Sequence, residues 1–195
     1  MNIVARLISG LSNPLIVSIP ASFFLVFKIS GSYQYATIWA LLSSFFSGLV
    51  AIFVFYGVKR GFFSDYDVSK RRERTALFAF TGVVSVLYFI VAFLLNGPRI
   101  LLISLEVLLF GIFLAQIINK KIKASIHLAV FSSFIMIVGI LYGSIFFLLL
   151  ILIPVVAWSR IVLKKHVLLE TIVGTILGTL LVIGSYFIIK YIYPL

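Results

Sequence analysis

Residues 35–58 read YATIWALLSSFFSGLVAIFVFYGV, and residues 59–74 continue as KRGFFSDYDVSKRRER. The first stretch can cross a membrane as one helix, because about 20 mostly apolar residues span the hydrocarbon core. The second stretch is polar and contains six basic residues. Basic residues accumulate in cytoplasmic loops of membrane proteins. The two stretches together therefore predict a transmembrane helix that ends in a cytoplasmic loop.

The same pattern of long apolar runs extends over the whole chain. Of the 195 residues 63% are apolar and 11% are charged, and the mean hydropathy is +1.27. A soluble domain has about 25% charged residues. The apolar runs are continuous rather than alternating, which indicates helices rather than barrel strands. Seven runs are candidates for spans: 10–27, 35–58, 75–95, 100–118, 125–141, 144–158 and 167–189.

These runs predict an all-α fold, a polytopic transmembrane bundle of six or seven helices. We expect it to form a single integral membrane domain over residues 1–195. The number of spans stays open because the run at 144–158 is short for a span. Ser9, Ser12 and Asn13 also place polar groups around the beginning of the first run.

The net charge of +11 is typical of a nucleic-acid-binding protein, but the predicted topology gives it another explanation. With the loop at 59–74 in the cytoplasm, thirteen basic residues lie on the cytoplasmic face and three lie on the opposite face. Topology and anionic lipid headgroups account for this asymmetry. We therefore expect membrane lipids, and no nucleic acid, as partners. The cytoplasmic set is Arg6, Lys59, Arg60, Lys70, Arg71, Arg72, Arg74, Lys120, Lys121, Lys123, Arg160, Lys164 and Lys165.

Polar residues with the potential for chemistry are concentrated between the last two apolar runs. Ser159 and Arg160 are followed after five residues by His166, and after three more by Glu170. A His and a Glu four residues apart on a helix lie on one face and can form a hydrogen bond. That hydrogen bond fixes the imidazole tautomer and stabilises the protonated ring.

Gly174 and Gly178 continue the same four-residue spacing beyond His166 and Glu170. Small residues on one stripe allow a neighbouring transmembrane helix to approach closely. One interpretation is a reactive histidine positioned by a carboxylate and a tightly packed helix. The other is an interfacial His and Glu beside an ordinary packing motif.

Two further groups lie at the beginnings of apolar runs. Lys123, Ser125 and His127 begin the fifth run, and Arg74 begins the third run. Each group is separated from the next by two predicted crossings, so all three groups open on the same side of the membrane. The two histidines of the chain, His127 and His166, are thereby predicted on one face.

The order, spacing and sidedness of these groups resemble the three motifs of the type-2 phosphatidic acid phosphatase family, the membrane relatives of the vanadium haloperoxidases. The third motif of that family is Ser-Arg, five residues, His, three residues and Asp. This chain matches it at Ser159, Arg160 and His166, with Glu170 in place of Asp. The resemblance covers roughly residues 10–190.

The other two motifs match in part. The family has Pro-Ser-Gly-His where residues 124–127 of this chain read ASIH. It also has a Lys six residues before Arg-Pro. Here Arg74 is present, Thr75 replaces Pro, and Asp67 occupies the Lys position. These departures concern substrate preference and rate, and they leave a catalytically inactive relative as an alternative.

The resemblance implies a lipid phosphatase that needs no metal or other cofactor. His166 would attack phosphorus and form a phosphohistidine, and Glu170 would orient His166 and stabilise its positive charge. His127 would be the general acid that protonates the leaving oxygen. The phosphate oxygens would be bound by Arg74, Arg160 and Ser125, with additional contacts from Lys70, Arg71 and Lys123.

A basic pocket beside hydrocarbon suits phosphatidic acid, phosphatidylglycerol phosphate, or a polyprenyl phosphate or diphosphate as the substrate. We expect a prokaryotic cell membrane with the active site on its cytoplasmic face; the oligomeric state stays open. The rival interpretation is a non-enzymatic lipid-binding or transport bundle. In that interpretation Glu106, in the middle of the fourth run, lines a path. In either case the cost of a mid-membrane charge predicts that Glu106 faces the bundle interior.

Overall fold

The computed structural model describes residues 2–192, without the side chains of residues 189 and 192. Within this range the backbone forms eight α-helices and one 3₁₀ helix and contains no strand. The all-α prediction is confirmed. The helices are α1 (Ile3–Leu11), α2 (Pro14–Ser30), α3 (Tyr33–Lys59), α4 (Arg74–Leu94), α5 (Arg99–Asn119), α6 (Ile126–Tyr142), the 3₁₀ helix (Ser144–Ile151), α7 (Leu152–Val162) and α8 (Leu168–Ile192).

Several of these helices are long and apolar enough to cross a membrane. In the described part of the chain there are five: α3, α4, α5, α8, and the 3₁₀ helix together with α7. A sixth is formed if α1 and α2, separated by a short break, count as one span. The apolar helix α6 has 17 residues, which is the lower limit of about 17 for a span. These helices indicate a multi-pass membrane protein, as predicted; a seventh span would require α6.

The chain divides into two compact units. One comprises Met1–Val17 and Ala124–Leu195 and contains both histidines; we call it the histidine unit. The other comprises Ser18–Lys123 and contains the polar loop at 59–74; we call it the loop unit. The single domain predicted over residues 1–195 stays a prediction.

In the histidine unit, α6 and α8 pack together at the two glycines of α8. A Cβ atom at Gly174 would overlap the carbonyl oxygen of Ser125, and one at Gly178 would overlap that of Ala129. The close approach predicted from the glycine spacing is therefore confirmed. Ser133 Oγ donates a hydrogen bond to the Gly178 carbonyl at 3.0 Å and ties the two helices together.

In the loop unit, aromatic side chains pack α3 against α4. Tyr88 of α4 stacks on Phe46 of α3 with ring centroids 4.6 Å apart. Its hydroxyl lies 2.6 Å from Ser43 Oγ, so the buried polar end of the tyrosine is paired.

The polar loop at 59–74 folds back onto the end of α3. Phe63 and Val68 of the loop are buried with Val54 of α3 in one apolar cluster. The ring of Phe63 packs directly over the backbone of Gly57, where a side chain would collide with it. The predicted loop is therefore an ordered segment with its own small apolar core.

Glu106 differs from the prediction. Its side chain, in the middle of α5, is exposed on the surface of the chain, so the prediction that it faces the interior is wrong. The reason is that α5 packs mainly against α4. The buried residues of α5 include Leu101 and Leu105, and Glu106 follows them on the exposed side of the helix.

Candidate active site

Ser159 and Arg160 lie in the last turn of α7 and are both buried. Ser159 Oγ donates to the Val156 carbonyl at 2.7 Å. The Arg160 side chain, in a residue only 1% exposed, donates from Nη1 to Ser9 Oγ of α1. A guanidinium is always charged and has a rigid fork of donors. The end of α7 therefore holds a buried, fixed positive charge.

A tight turn brings His166 back onto the end of α7. Lys164 adopts a left-handed conformation with φ of 56°, which ends helices in the same way as a terminal glycine. The N–H groups of Lys165 and His166 then both donate to the Arg160 carbonyl, at 3.0 and 3.3 Å. This arrangement caps α7 and places the buried His166 beside Arg160 through the backbone.

His166 and Glu170 form the predicted pair, although His166 lies two residues before α8 rather than on its stripe. Its Nδ1 is 2.8 Å from Glu170 Oε2. The same oxygen accepts a hydrogen bond from Val167 N at 3.3 Å. Glu170 thus caps the beginning of α8, where the helix dipole favours a negative charge. The predicted hydrogen bond is confirmed.

This geometry determines which imidazole nitrogen can react. A carboxylate accepts hydrogen bonds only, so Nδ1 of His166 carries the proton that Glu170 accepts. In the neutral ring the lone pair then lies on Nε2. The carboxylate also stabilises a positive charge that develops when Nε2 forms a bond. The pair can therefore support nucleophilic attack by a buried imidazole.

The beginning of α6 joins this pair through the backbone. Ser125 N donates to the Glu170 carbonyl at 2.9 Å, and the missing side chain at Gly174 leaves room for the Ser125 carbonyl. Ser125 is fully buried, and its Oγ has no hydrogen-bond partner among residues 2–192. His127, two residues later in the first turn of α6, is also buried. The second and third sequence motifs are thus adjacent.

Arg74 belongs to the loop unit. It is the first residue of α4 and is 4% exposed, and its Nε donates to the Val68 carbonyl at 3.2 Å. Val68 has φ of 46°, which turns its carbonyl within the loop. Lys70 is exposed and its Nζ lies 3.6 Å from Glu73 Oε1. The convergence of Arg74 with the two histidines stays a prediction.

The other predicted phosphate contacts also lie in the loop unit. Arg71 Nη1 donates to the Lys121 carbonyl at 3.1 Å, and the Arg71 carbonyl accepts from Asn119 Nδ2 at 3.0 Å. Arg71 therefore holds the loop against the end of α5. Lys123 is half-buried at the last position of the loop unit.

Ser9 is the residue of this site that the sequence did not predict. It accepts the hydrogen bond from Arg160 and lies on the buried face of α1 with Ala5, and the buried Ser12 caps the end of that helix. The available signal was the spacing of these three small residues, at i, i+4 and i+7, which marks a helix face for close packing. Polar residues near the start of an apolar run instead suggested a break in that run.

Among the described side chains, no group of three or more His, Asp or Glu residues lies close enough together to hold a metal ion. The carboxylate of Asp65 is used to hold the backbone of the loop. Its Oδ1 accepts hydrogen bonds from Asp67 N at 2.9 Å and from Ser69 N at 3.2 Å. Glu73 accepts from Ser64 N at 2.9 Å.

No protein-family model, curated protein or solved structure matches this chain.

Proposed function

We propose that this protein is an integral membrane lipid phosphatase, related to the type-2 phosphatidic acid phosphatases. It would hydrolyse a lipid phosphate monoester or diphosphate through a phosphohistidine at His166. The observation that carries the proposal is the 2.8 Å contact between His166 Nδ1 and Glu170 Oε2. It joins a buried imidazole to a carboxylate, beside the buried Arg160.

In the first step, the lone pair on His166 Nε2 attacks phosphorus and forms an N–P bond. The bond from phosphorus to the lipid oxygen breaks, and that oxygen takes a proton from the protonated ring of His127. Glu170 stays ionised and holds the proton on Nδ1. In the second step, His127 takes a proton from water, the hydroxide attacks phosphorus, and the N–P bond breaks to release phosphate.

Phosphate binding depends on donors that are fixed before the substrate arrives. Arg160 is held by Ser9, and Ser125 offers a buried hydroxyl next to the pair. Fixed donors in a water-poor site stabilise the charge that develops during phosphoryl transfer. We assign Arg160 and Ser125 to this role. Arg74 would join them, which is an inference from the motif resemblance.

The test combines turnover with trapping of the intermediate. Purified protein is given ³²P-labelled phosphatidic acid, phosphatidylglycerol phosphate or polyprenyl diphosphate in detergent with EDTA. We expect phosphate release from at least one lipid, and a labelled protein that is labile in acid and stable in base. That lability separates phosphohistidine from phosphoserine at Ser125 or Ser159.

His166→Ala should lose both the label and the turnover, because no neighbouring group can supply the attacking nitrogen. Ser185→Ala, far along α8 with its hydroxyl bonded to the Leu181 carbonyl, is the matched control and should keep both. Phosphate release near the wild-type rate by folded His166→Ala protein would exclude the mechanism. A folded wild-type protein that binds these lipids without turnover would favour the non-enzymatic bundle.

We also propose that the active site opens on the cytoplasmic side. The chain has no cysteine, so one Cys introduced at Phe62, which is 76% exposed in the basic loop, reports on that loop alone. A membrane-impermeant thiol reagent should label Phe62→Cys only after permeabilisation of the cells. Equal labelling of intact cells would place the loop on the outer face, and the topology predicted from the sequence would then put the site there too.

A further inference from the structure

A second polar site lies entirely within the loop unit, where the loop at 59–74 meets the end of α5 and the beginning of α4. It is a cavity of about 330 Å³, within the range of about 300–1,000 Å³ that is usual for small-ligand sites. Of its lining residues, only Arg71 is also one of the additional phosphate contacts predicted from the sequence. The lining residues are Arg71, Arg72, Thr75, Gln116, Asn119 and Lys120.

The lining is positively charged and contains no carboxylate. Three of its six residues are basic, and Arg72 and Lys120 are exposed, so the cavity opens to the surface. Glu73, the nearest acidic residue along the chain, is engaged by Ser64 and Lys70. The hydrogen bond from Ser64 N lowers the pKa of the Glu73 carboxyl. The unbalanced cations of the cavity therefore favour an anionic ligand.

The inner part of the cavity offers hydrogen-bond acceptors. Asn119, which is 6% exposed, uses its Nδ2 on the Arg71 carbonyl, whereas its Oδ1 has no hydrogen-bond partner among the described residues. Gln116 Oε1 is likewise buried without a partner there. Buried acceptors of this kind are normally paired. A ligand that pairs these acceptor oxygens must carry hydroxyl or ammonium donors in addition to its negative charge.

The position of the cavity indicates the source of such a ligand. Arg74 begins α4 and Asn119 ends α5, and both helices are membrane-span candidates. The cavity therefore lies at the level where the hydrocarbon core gives way to headgroups. Basic pockets between transmembrane helices bind anionic lipid headgroups at this level.

We propose that this cavity binds an anionic phospholipid whose headgroup carries hydroxyls, of the phosphoglycerol type. Arg71, Arg72 and Lys120 would hold the phosphate, and the amide oxygens of Gln116 and Asn119 would accept hydrogen bonds from the hydroxyls. The proposal does not depend on the phosphatase activity, because Arg72, Gln116, Asn119 and Lys120 have no role in the proposed phosphatase mechanism.

The test measures lipid affinity in detergent micelles, using His166→Ala protein so that turnover cannot consume a ligand. Phosphatidylglycerol should bind at least about tenfold more tightly than phosphatidylcholine, because one charged hydrogen bond is worth about that factor. The pair Arg72→Gln and Lys120→Gln should weaken phosphatidylglycerol binding by about tenfold or more. The matched pair Lys59→Gln and Arg60→Gln removes the same charge outside the cavity and should leave binding nearly unchanged.

Gln116→Leu tests the hydroxyl contact without threatening the fold. Removing an unpaired buried acceptor should not lower the melting temperature. It should weaken binding of phosphatidylglycerol, whose headgroup has hydroxyls, and spare phosphatidic acid, whose headgroup has none. Equal effects on the two lipids would overturn the assignment of the amide oxygens.

Three results would overturn the proposal as a whole. The first is equal affinity for phosphatidylglycerol and phosphatidylcholine. The second is a control pair that weakens binding as much as the cavity pair, which would mean general surface attraction. The third is binding of soluble glycerol phosphate in the absence of phosphatidylglycerol binding, which would identify a soluble ligand.

Discussion

Arg160 of the histidine unit and Arg72 of the loop unit both lie near a helix end, but their environments are opposite. Arg160 is 1% exposed and is held by Ser9, whereas Arg72 is exposed in an open cavity. Charges interact strongly where water is excluded and weakly where it is not. The buried set is suited to stabilising charge that develops during a reaction. The open set is suited to reversible binding of a charged group.

The largest expected effect comes from His127 in the histidine unit. If it is the general acid, His127→Ala should slow release from a lipid alkoxide by about 10²–10⁴-fold. With p-nitrophenyl phosphate the loss should be much smaller, because that leaving group needs little protonation. Steady-state rates on the two substrates measure the difference. Equal losses on both would leave His166 as the nucleophile and remove His127 as the acid.

Substitution of Glu170 should slow turnover less than substitution of His127 does. Glu170→Gln keeps a hydrogen-bonding group but loses the negative charge, and we expect turnover to fall by about 10–150-fold, the value of one charged hydrogen bond. Glu170→Asp should recover part of this loss. Melting temperatures of both variants check the fold. A Gln variant as slow as His166→Ala would point to loss of structure or of the correct tautomer instead.

The close packing of α6 against α8 in the histidine unit can be tested at the glycines of α8. Gly178→Ala should destabilise the protein by about 1–3 kcal/mol, because its methyl group would overlap the Ala129 carbonyl and force a shift of α6. Gly184 on the same helix has no atom within 4 Å of an added Cβ. Gly184→Ala should therefore be neutral or stabilising in the same unfolding measurement. Equal effects at the two positions would mean that α6 and α8 are not tightly packed at Gly178.

The smallest effect is expected at Glu73, in the polar loop of the loop unit. Ser64 N lowers the pKa of Glu73 below its usual value of 4.5, so the ionised carboxylate stabilises the folded loop. This contribution is present above about pH 4.5 and is lost as the pH falls through the lower folded pKa. Hydrogen exchange of the loop should show it as a change of less than about 1 kcal/mol. Glu73→Gln should abolish the pH dependence; an unchanged profile would assign it to another group.

Most helix positions could be predicted because apolar run length is a property of the local sequence. The run at 75–95 became α4 and the run at 100–118 became α5, each within one residue at both ends. The first run was different, because α1 and α2 are separate helices with Ser12 and Asn13 between them. The run at 144–158 begins with a 3₁₀ helix, and nothing in its uniform apolar composition distinguishes 3₁₀ from α geometry.

The candidate site was only partly predictable. The spacing of His166 and Glu170 predicted their hydrogen bond, since four residues make one turn and the contact is local. The partner of Arg160 could not be predicted, because Ser9 lies 151 residues away in the sequence. The prediction for Glu106 was wrong for a related reason. The cost of a charge in the membrane follows from the sequence, but the side of α5 that is covered depends on which helices pack against it.

The sequence by itself determined the membrane class, most of the helical spans and the pairing of His166 with Glu170. Each of these follows from composition or from contacts within a few residues. Only the tertiary structure decided that the buried Arg160 is held by Ser9 and that Ser125 contacts Glu170. It also decided that Arg71 joins an open cavity with residues of α5. These contacts join segments far apart in the chain, and they depend on how side chains fill the space between packed helices.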